Sequence, residues 1–238
     1  MLKIDLHTHS CSSGHALNTV FELAHHASQR GITHLGITEH GPSMKGAPHE
    51  EYFWISDQLL ELNGIKIYLG IEANILNDQG DIDLSESFLK KQRIVSAGLH
   101  QLTPFISKGQ EYNTRSIINA MQNPYVNIIT HPFRPEFPID MESVFYESIK
   151  TGTLLELNNS LFKRESSEKV VHEYKKLISL CNKENRKIII GSDAHIATSI
   201  GYDDSISRIK DGLGLKYDNI INNFPPEIES LLENKTPN

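Results

Sequence analysis

Two cysteines in 238 residues, Cys11 and Cys181, are too few for a disulfide framework and match no zinc-finger spacing. No apolar run approaches the roughly 18–20 residues needed to span a bilayer. The chain enters a strand almost at once, so no signal peptide is expected, and the expectation is a soluble cytoplasmic protein. Basic charge is also scarce: 23 Lys and Arg against 30 Asp and Glu give a formal net charge of −7. That balance argues against a nucleic-acid or membrane-surface binder, while leaving room for a local basic pocket. There is no Gly-rich nucleotide loop, and no linker that would divide the chain into two domains. The hydrophobic fraction, 38%, is modest but falls in periodic segments, so a core of ordinary size is expected.

What the sequence does have is histidine, at regular places. Lys3 to His9 reads as a first strand in which His7 and His9 share one face, one pleat apart, with His15 beyond a tight loop. Thr19-x-x-Glu22 is a capping box for a helix with the stripe Val20, Leu23, Ala24 and Ala27, stopped by Gly31. Further strands are expected over 33–38, 65–71, 94–99, 126–130, 153–157 and 187–192. Helices are expected over 51–62, 84–91, 113–121 and 141–150. A long amphipathic helix should carry Val170, Val171, Tyr174, Leu177, Ile178 and Cys181. Asn77 to Asp83 reads as a turn or small hairpin.

The strand ends fall at His9, His40, Glu72, His100, His131, Asn158 and Asp193, spaced 27 to 35 residues apart. That is the length of a βα unit, and the alternation implies a parallel sheet. Seven units predict an α/β fold closed into a distorted seven-stranded barrel, one domain over residues 1–238. In such barrels functional residues gather at the carboxyl ends of the strands. Six of the seven ends carry His, Glu or Asp, so a metal site is expected there. The candidate ligands are His7, His9, His15, His40, Glu72, His100, His131, Asp193 and His195.

Seven imidazoles and two carboxylates suit zinc, manganese or iron better than magnesium or calcium. One ion rarely takes more than five protein ligands, so nine imply two or three ions. Glu72, with two oxygens, is the natural bridge. A water shared by two such ions ionises near neutral pH and becomes a nucleophile. The expected chemistry is metal-assisted hydrolysis of a phosphate ester. Glu72, Asp193 and His195 are the candidate catalytic residues. Arg134, three residues past His131, and Arg164, after the sixth strand, are candidates for binding phosphate oxygens, with Lys45 and Lys163 weaker. His49, on the loop after His40, is a candidate substrate contact. His25, His26 and His172 read as helix-surface residues, His34 as the amino end of a strand, and Cys181 as core.

Taken together, His7-Thr8-His9, Thr38-Glu39-His40, Gly70-Ile71-Glu72, Gly98-Leu99-His100, Thr130-His131-Pro132 and Gly191-Ser192-Asp193-Ala194-His195 resemble the polymerase and histidinol phosphatase (PHP) family. The likeness runs over essentially the whole chain and is nearest to small stand-alone bacterial PHP phosphatases. Ile71-Glu72-Ala73-Asn74 and Glu156-Leu157-Asn158-Asn159-Ser160 also carry it. The resemblance implies a trinuclear, usually zinc, centre. His7, His9, Glu72 and Asp193 would hold one ion, Glu72, His100 and His131 a second, and His15, His40 and His195 a third. It implies a phosphatase acting on a small phosphorylated substrate through a metal-bridging hydroxide, with no stable nucleic-acid or membrane partner. The substrate and oligomeric state stay open. So do three alternatives: phosphodiesterase or nuclease-like chemistry, an amidohydrolase, and a non-catalytic metal-stabilised interaction module.

Overall fold

The computed structural model describes residues 2–164 and 168–234. Seven parallel strands follow one another around a nearly closed barrel, with helices between them. In chain order the strands are β1 (Ile4–Asp5), β2 (His34–His40), β3 (Glu61–Leu62), β4 (Ile65–Asn74), β5 (Ile94–Gly98), β6 (Ile128–Ile129), β7 (Leu154–Asn158) and β8 (Ile189–Gly191). All but β3 belong to the parallel run β1-β2-β4-β5-β6-β7-β8. The helices are α1 (Val20–Gln29), α2 (Glu86–Leu89), α3 (Gln110–Ala120), α4 (Met141–Thr151), α5 (Asn159–Arg164), α6 (Glu168–Glu184), α7 (Asp204–Leu213) and α8 (Pro225–Asn234). Among the described residues, no helix is long and apolar enough to cross a membrane.

The barrel closes through the stretch that follows β1. Asp193 N donates to His7 O and His9 N to Ala194 O, each at 2.9 Å, which joins the first strand's continuation to the end of β8. On the other side Thr38 N donates to Thr8 O, and Thr8 Oγ1 to Gly36 O. The two chains come so close there that a Cβ on Gly36 would lie 2.6–2.8 Å from the Leu6 backbone. The regular ladder of β1 therefore stops at Asp5, although an extended run to His9 was expected. Residues 6–9 divide their hydrogen bonds between two neighbours.

At the amino-terminal mouth, Ile4, Tyr68, Ile94, Ile128, Leu154 and Ile189, one from each of six strands, cluster with Ile228 and Leu232 of α8. Each such side chain contributes roughly 1.5–3 kcal/mol by leaving water. The seventh contributor, β2, offers His34, whose ring stacks on Tyr68 and whose Nε2 meets Glu229 Oε1 at 2.8 Å. α8 thus stoppers one end and leaves the carboxyl ends of the strands as the open face.

The helices follow the sequence signals closely where those signals are local. The capping box is complete: Thr19 accepts from Glu22 N, and Glu22 accepts from Thr19 N at 2.7 Å. Gly31, at φ +71°, stops the chain from continuing the helix. α6 buries Val170, Tyr174, Leu177, Ile178 and Cys181 of the expected stripe, while Val171 is half-buried against the same core.

The helix expected over 51–62 does not form. Glu50–Ile55 is a 3-10 helix, and Glu61–Leu62 turns back as β3 against the start of β4. The cause is Asn63-Gly64, at φ +53° and +75°, which together make a two-residue hairpin turn. Backbone pairing through that turn wins over the helical propensity of the preceding residues. Residues 75–83 do form the small hairpin, with Leu76 N donating to Asp81 O at 2.8 Å.

Candidate metal centre

Each strand delivers its polar side chain to the open end because parallel strands in register finish at one level. Glu72, pairing with His40 across β2 and β4, is wholly buried at the middle. Around its carboxylate, His100 Nε2 and His131 Nε2 lie 3.1 and 3.0 Å from Oε1, and His7 Nε2 3.2 Å from it. His40 Nδ1 and His9 Nε2 lie 3.0 and 3.5 Å from Oε2. Asp193 Oδ1 is 3.4 Å from His9 Nε2 and 3.7 Å from His7 Nε2. His195 and His15 form the outer layer, their Nε2 atoms 3.0 Å apart and their rings stacked at 4.7 Å, with His15 also stacked on His40 at 4.9 Å. All nine residues picked from the sequence meet in one place.

The donor set fits divalent cations. His7 Nε2, His9 Nε2, His40 Nδ1, His131 Nδ1, both nitrogens of His100 and both oxygens of Glu72 are buried without hydrogen-bond geometry to any partner. Leaving one buried polar atom unsatisfied costs roughly 1–3 kcal/mol. So many in one cluster calls for a shared ligand that accepts lone pairs from nitrogen and oxygen. Ligand atoms from His7, His9 and Glu72, from His40, Glu72 and His100, and from His9, His40 and His195 each fall within 4.8 Å of one another.

The electrostatics agree. Burial alone would raise the Glu72 and Asp193 carboxyls, but the surrounding imidazoles, His7 foremost, hold both well below the ordinary carboxylate range. Burial together with the neighbouring His40 pushes His9 well below the usual imidazole value, keeping it neutral and able to ligate. His7 is opposed: burial lowers it, and Glu156, Glu72 and Asp193 more than reverse that.

A second layer fixes which ring nitrogen faces inward. Glu156, buried on β7, accepts from His7 Nδ1 at 2.7 Å through one oxygen. Its other oxygen accepts from His131 N at 2.8 Å and Asn158 Nδ2 at 3.1 Å. His9 Nδ1 meets Ser13 Oγ at 3.2 Å. Ser13 donates its own proton to Glu39 Oε2 at 2.5 Å and also accepts from His40 N at 3.1 Å. His195 Nδ1 donates to Asp193 O at 3.0 Å. In each case the outer partner takes the Nδ1 proton and leaves Nε2 with its lone pair toward the centre.

Glu156, Ser13 and Glu39 were not singled out as working residues from sequence. Glu156 was legible in principle, since it lies two positions before Asn158 and shares its face at the strand end. Strain concentrates here as well: His131 and Asp193 are held at φ +28° and +53°, conformations that cost of order 1–3 kcal/mol each. The bond from His131 N to Glu156 helps to hold the first.

A cleft of about 280 Å³ opens above the centre, with His15, His40, Glu72, His100, His131 and Asp193 in its wall. Lys45 and Arg134 line it too, as do Met44 and Leu102. His49 does not line it; it is exposed at the start of the 3-10 helix. The side chains of Arg164 and Lys163 lie outside the described residues.

Comparison with known proteins accords with this geometry. The PHP domain is matched over residues 5–132. A probable phosphatase of Caldanaerobacter subterraneus is 39% identical over 98% of this chain and 92% of its own length. One from Clostridium novyi is 39% identical over 98% and 95%. Among solved structures, histidinol phosphate phosphatase of Lactococcus lactis, complexed with zinc, L-histidinol and phosphate, has a TM-score of 0.59 at 18% identity, covering 90% of this chain and 94% of that one. A chain of an archaeal ribonuclease P with mature tRNA has a TM-score of 0.59 at 11% identity, covering 96% and 90%. These two likenesses are of fold. The domain match and the identity along nearly the full length place the chain in the PHP family.

Proposed function

We propose that the protein is a single-domain, metal-dependent phosphatase that hydrolyses small phosphate monoesters. The observation that carries the reading is the buried Glu72 carboxylate with four histidine nitrogens within 3.2 Å and a cationic pair, Lys45 and Arg134, on the rim of the same cleft. The names of the bacterial relatives support the reaction class.

His7, His9, Glu72 and Asp193 would hold one ion, Glu72, His100 and His131 a second, and His15, His40 and His195 a third. Zinc, manganese or iron fits such donors. When bound, these ions supply water activation near neutral pH and a positive field for the phosphoryl group. Arg134, whose Nε is buried without a hydrogen-bond partner, and Lys45 neutralise the outer phosphate oxygens and set the direction from which the ester enters. Asp193, 12% exposed where the other carboxylate is sealed, would carry the proton of the attacking water to the departing oxygen on the carboxylate oxygen that is not engaged with an ion. His195, 22% exposed, keeps its Nδ1 proton on the Asp193 carbonyl and so holds Nε2 toward the solvent side of the centre. One P–O bond forms to water, one breaks to the alcohol, and phosphate leaves.

The test is phosphate release from p-nitrophenyl phosphate by protein loaded with zinc or manganese, with and without chelator. His131→Ala is expected to abolish turnover while the melting temperature changes little by comparison. Equal turnover in that variant would remove the mechanism.

A further inference from the structure

The stretch that carries Lys45 to the cleft is built of two consecutive turns. Gly41-Pro42-Ser43-Met44 is closed by Met44 N donating to Gly41 O at 3.0 Å, with proline in the second place, where its fixed φ fits. Met44-Lys45-Gly46-Ala47 is closed by Ala47 N donating to Met44 O at 3.1 Å, with Gly46 at φ +94° in the third place. Met44, shared by the two turns, is buried, while Lys45 is exposed at the corner of the second. A lysine stem is flexible, so its ammonium is aimed only as well as its backbone is fixed.

One carboxylate fixes that backbone from outside. Asp83, at the end of the small hairpin, accepts from Ser43 N at 2.8 Å and Asn74 Nδ2 at 2.5 Å on Oδ2, and from Asn74 N at 2.7 Å on Oδ1. Asn74, two residues past Glu72 on β4, also donates through Nδ2 to Gly41 O at 3.1 Å. Only glycine at position 41 leaves room for this approach, since a Cβ there would lie 2.1 Å from Asp83 Oδ1. The hairpin is itself anchored to α3. Asp78 Oδ2 accepts from Arg115 Nη2 at 2.6 Å, and Asn119 Nδ2 donates to Asp78 O at 2.7 Å. Gly80, at φ +82°, lies so close that a Cβ on it would stand 2.3 Å from Ala120 N. Asp83 therefore ties the first turn to β4 and, through the hairpin, to α3.

Resting on the phosphatase reading above, we infer that Asp83 is a positioning residue for substrate, holding the Lys45 turn so that the ammonium meets phosphate at the cleft wall. Three N–H donors converge on this half-buried carboxylate, and hydrogen bonds to a charged acceptor are about twice as strong as neutral ones. On the far side Lys45 N reaches Leu102 O only at 3.4 Å, too long to hold the turn alone. Asparagine in place of Asp83 turns an NH2 group toward at least one of the three donors. The turn then loosens while Lys45 and every candidate ligand remain.

The experiment measures kcat and KM for p-nitrophenyl phosphate, and inhibition by inorganic phosphate, on zinc-loaded parent, Asp83→Asn, Lys45→Ala and the double variant. Asp83→Asn should raise KM and the phosphate inhibition constant roughly threefold to fivefold, the worth of one solvent-exposed charge contact. kcat should stay within twofold, with metal content per chain unchanged. In the Lys45→Ala background Asp83→Asn should add nothing, whereas a merely structural carboxylate would cost the same in both. Hydrogen exchange at the amides of residues 43–47 should quicken in Asp83→Asn. Gly41→Ala displaces the carboxylate from the side of the turn and serves if the Asn variant does not fold. If Lys45→Ala weakens phosphate binding but Asp83→Asn does not, or costs the same with and without Lys45, the positioning role is overturned and the phosphatase reading stands. If p-nitrophenyl phosphate is hydrolysed and Lys45→Ala has no effect, the positioning role is likewise overturned, and the reaction class stands. If no phosphate ester is hydrolysed by metal-loaded protein, both fall.

Discussion

Glu156→Gln changes one atom and should separate the second layer of the centre from its bulk. The native carboxylate serves three donors with two oxygens: His7 Nδ1 on one, His131 N and Asn158 Nδ2 on the other. Glutamine has one oxygen and an NH2 group. If the oxygen stays with His131 and Asn158, the NH2 faces His7 Nδ1. That ring must then accept at Nδ1 and carry its proton on Nε2, where it can no longer ligate. If the amide turns the other way, His131 N and Asn158 Nδ2 meet a donor, and the strained His131 backbone loses its tie. Either arrangement disables one candidate ligand without emptying any volume. The expected loss is the 10- to 100-fold in metal affinity typical of such outer partners, about 1.4–2.8 kcal/mol. Zinc titration against a competing chelator measures it, with the thermal unfolding of metal-free protein as the control for folding. An affinity within twofold of the parent would refute the claim that Glu156 sets the His7 tautomer.

Other expectations concern the frame. Gly191→Ala would place a Cβ 1.9 Å from Glu156 Oε1 and 2.9 Å from His7 Cβ, so metal content per chain should fall in that variant although no ligand is changed. Thr19→Ala removes the α1 capping box and should cost about 1 kcal/mol by urea unfolding with metal affinity unchanged. Burial pushes Tyr52 and Cys181 up to about 12 each, from ordinary values of 10.0 and 9.0. Folded-state values above the unfolded ones mean that the unfolded chain releases protons first as pH rises. Their stabilisation is therefore complete below pH 9 and lost progressively between about pH 9 and 12. Urea midpoints across that range should decline, and Cys181→Ala should reduce the slope.

Much of the centre was legible because parallel strands translate sequence spacing into spatial level. Ligands placed every 27 to 35 residues at strand ends can only meet at one mouth of a barrel. Hydrophobic alternation and the His-x-His pleat gave the same answer for β1, although barrel closure took residues 6–9 out of a regular ladder. The failure at 51–62 has a plain cause: the helix reading stopped at Leu62 without taking Asn63-Gly64 as a hairpin turn, and that turn pairs β3 with β4. The outer layer was harder. Ser13 and Glu39 act on His9 through contacts 4 and 26 residues apart in sequence, and no spacing rule distinguishes them from ordinary loop and strand polar residues. His49 lies on the expected loop but is exposed outside the cleft wall, to which that loop contributes Met44 and Lys45.

The most direct test of the central claim is metal content per chain by mass spectrometry on protein purified without chelator, repeated after chelation and readdition of zinc. The account predicts about three ions bound, lost on chelation and regained in parallel with phosphate release. A content near zero or one that stays there with zinc in excess would contradict it, because nine converging ligands would then be holding no multinuclear centre.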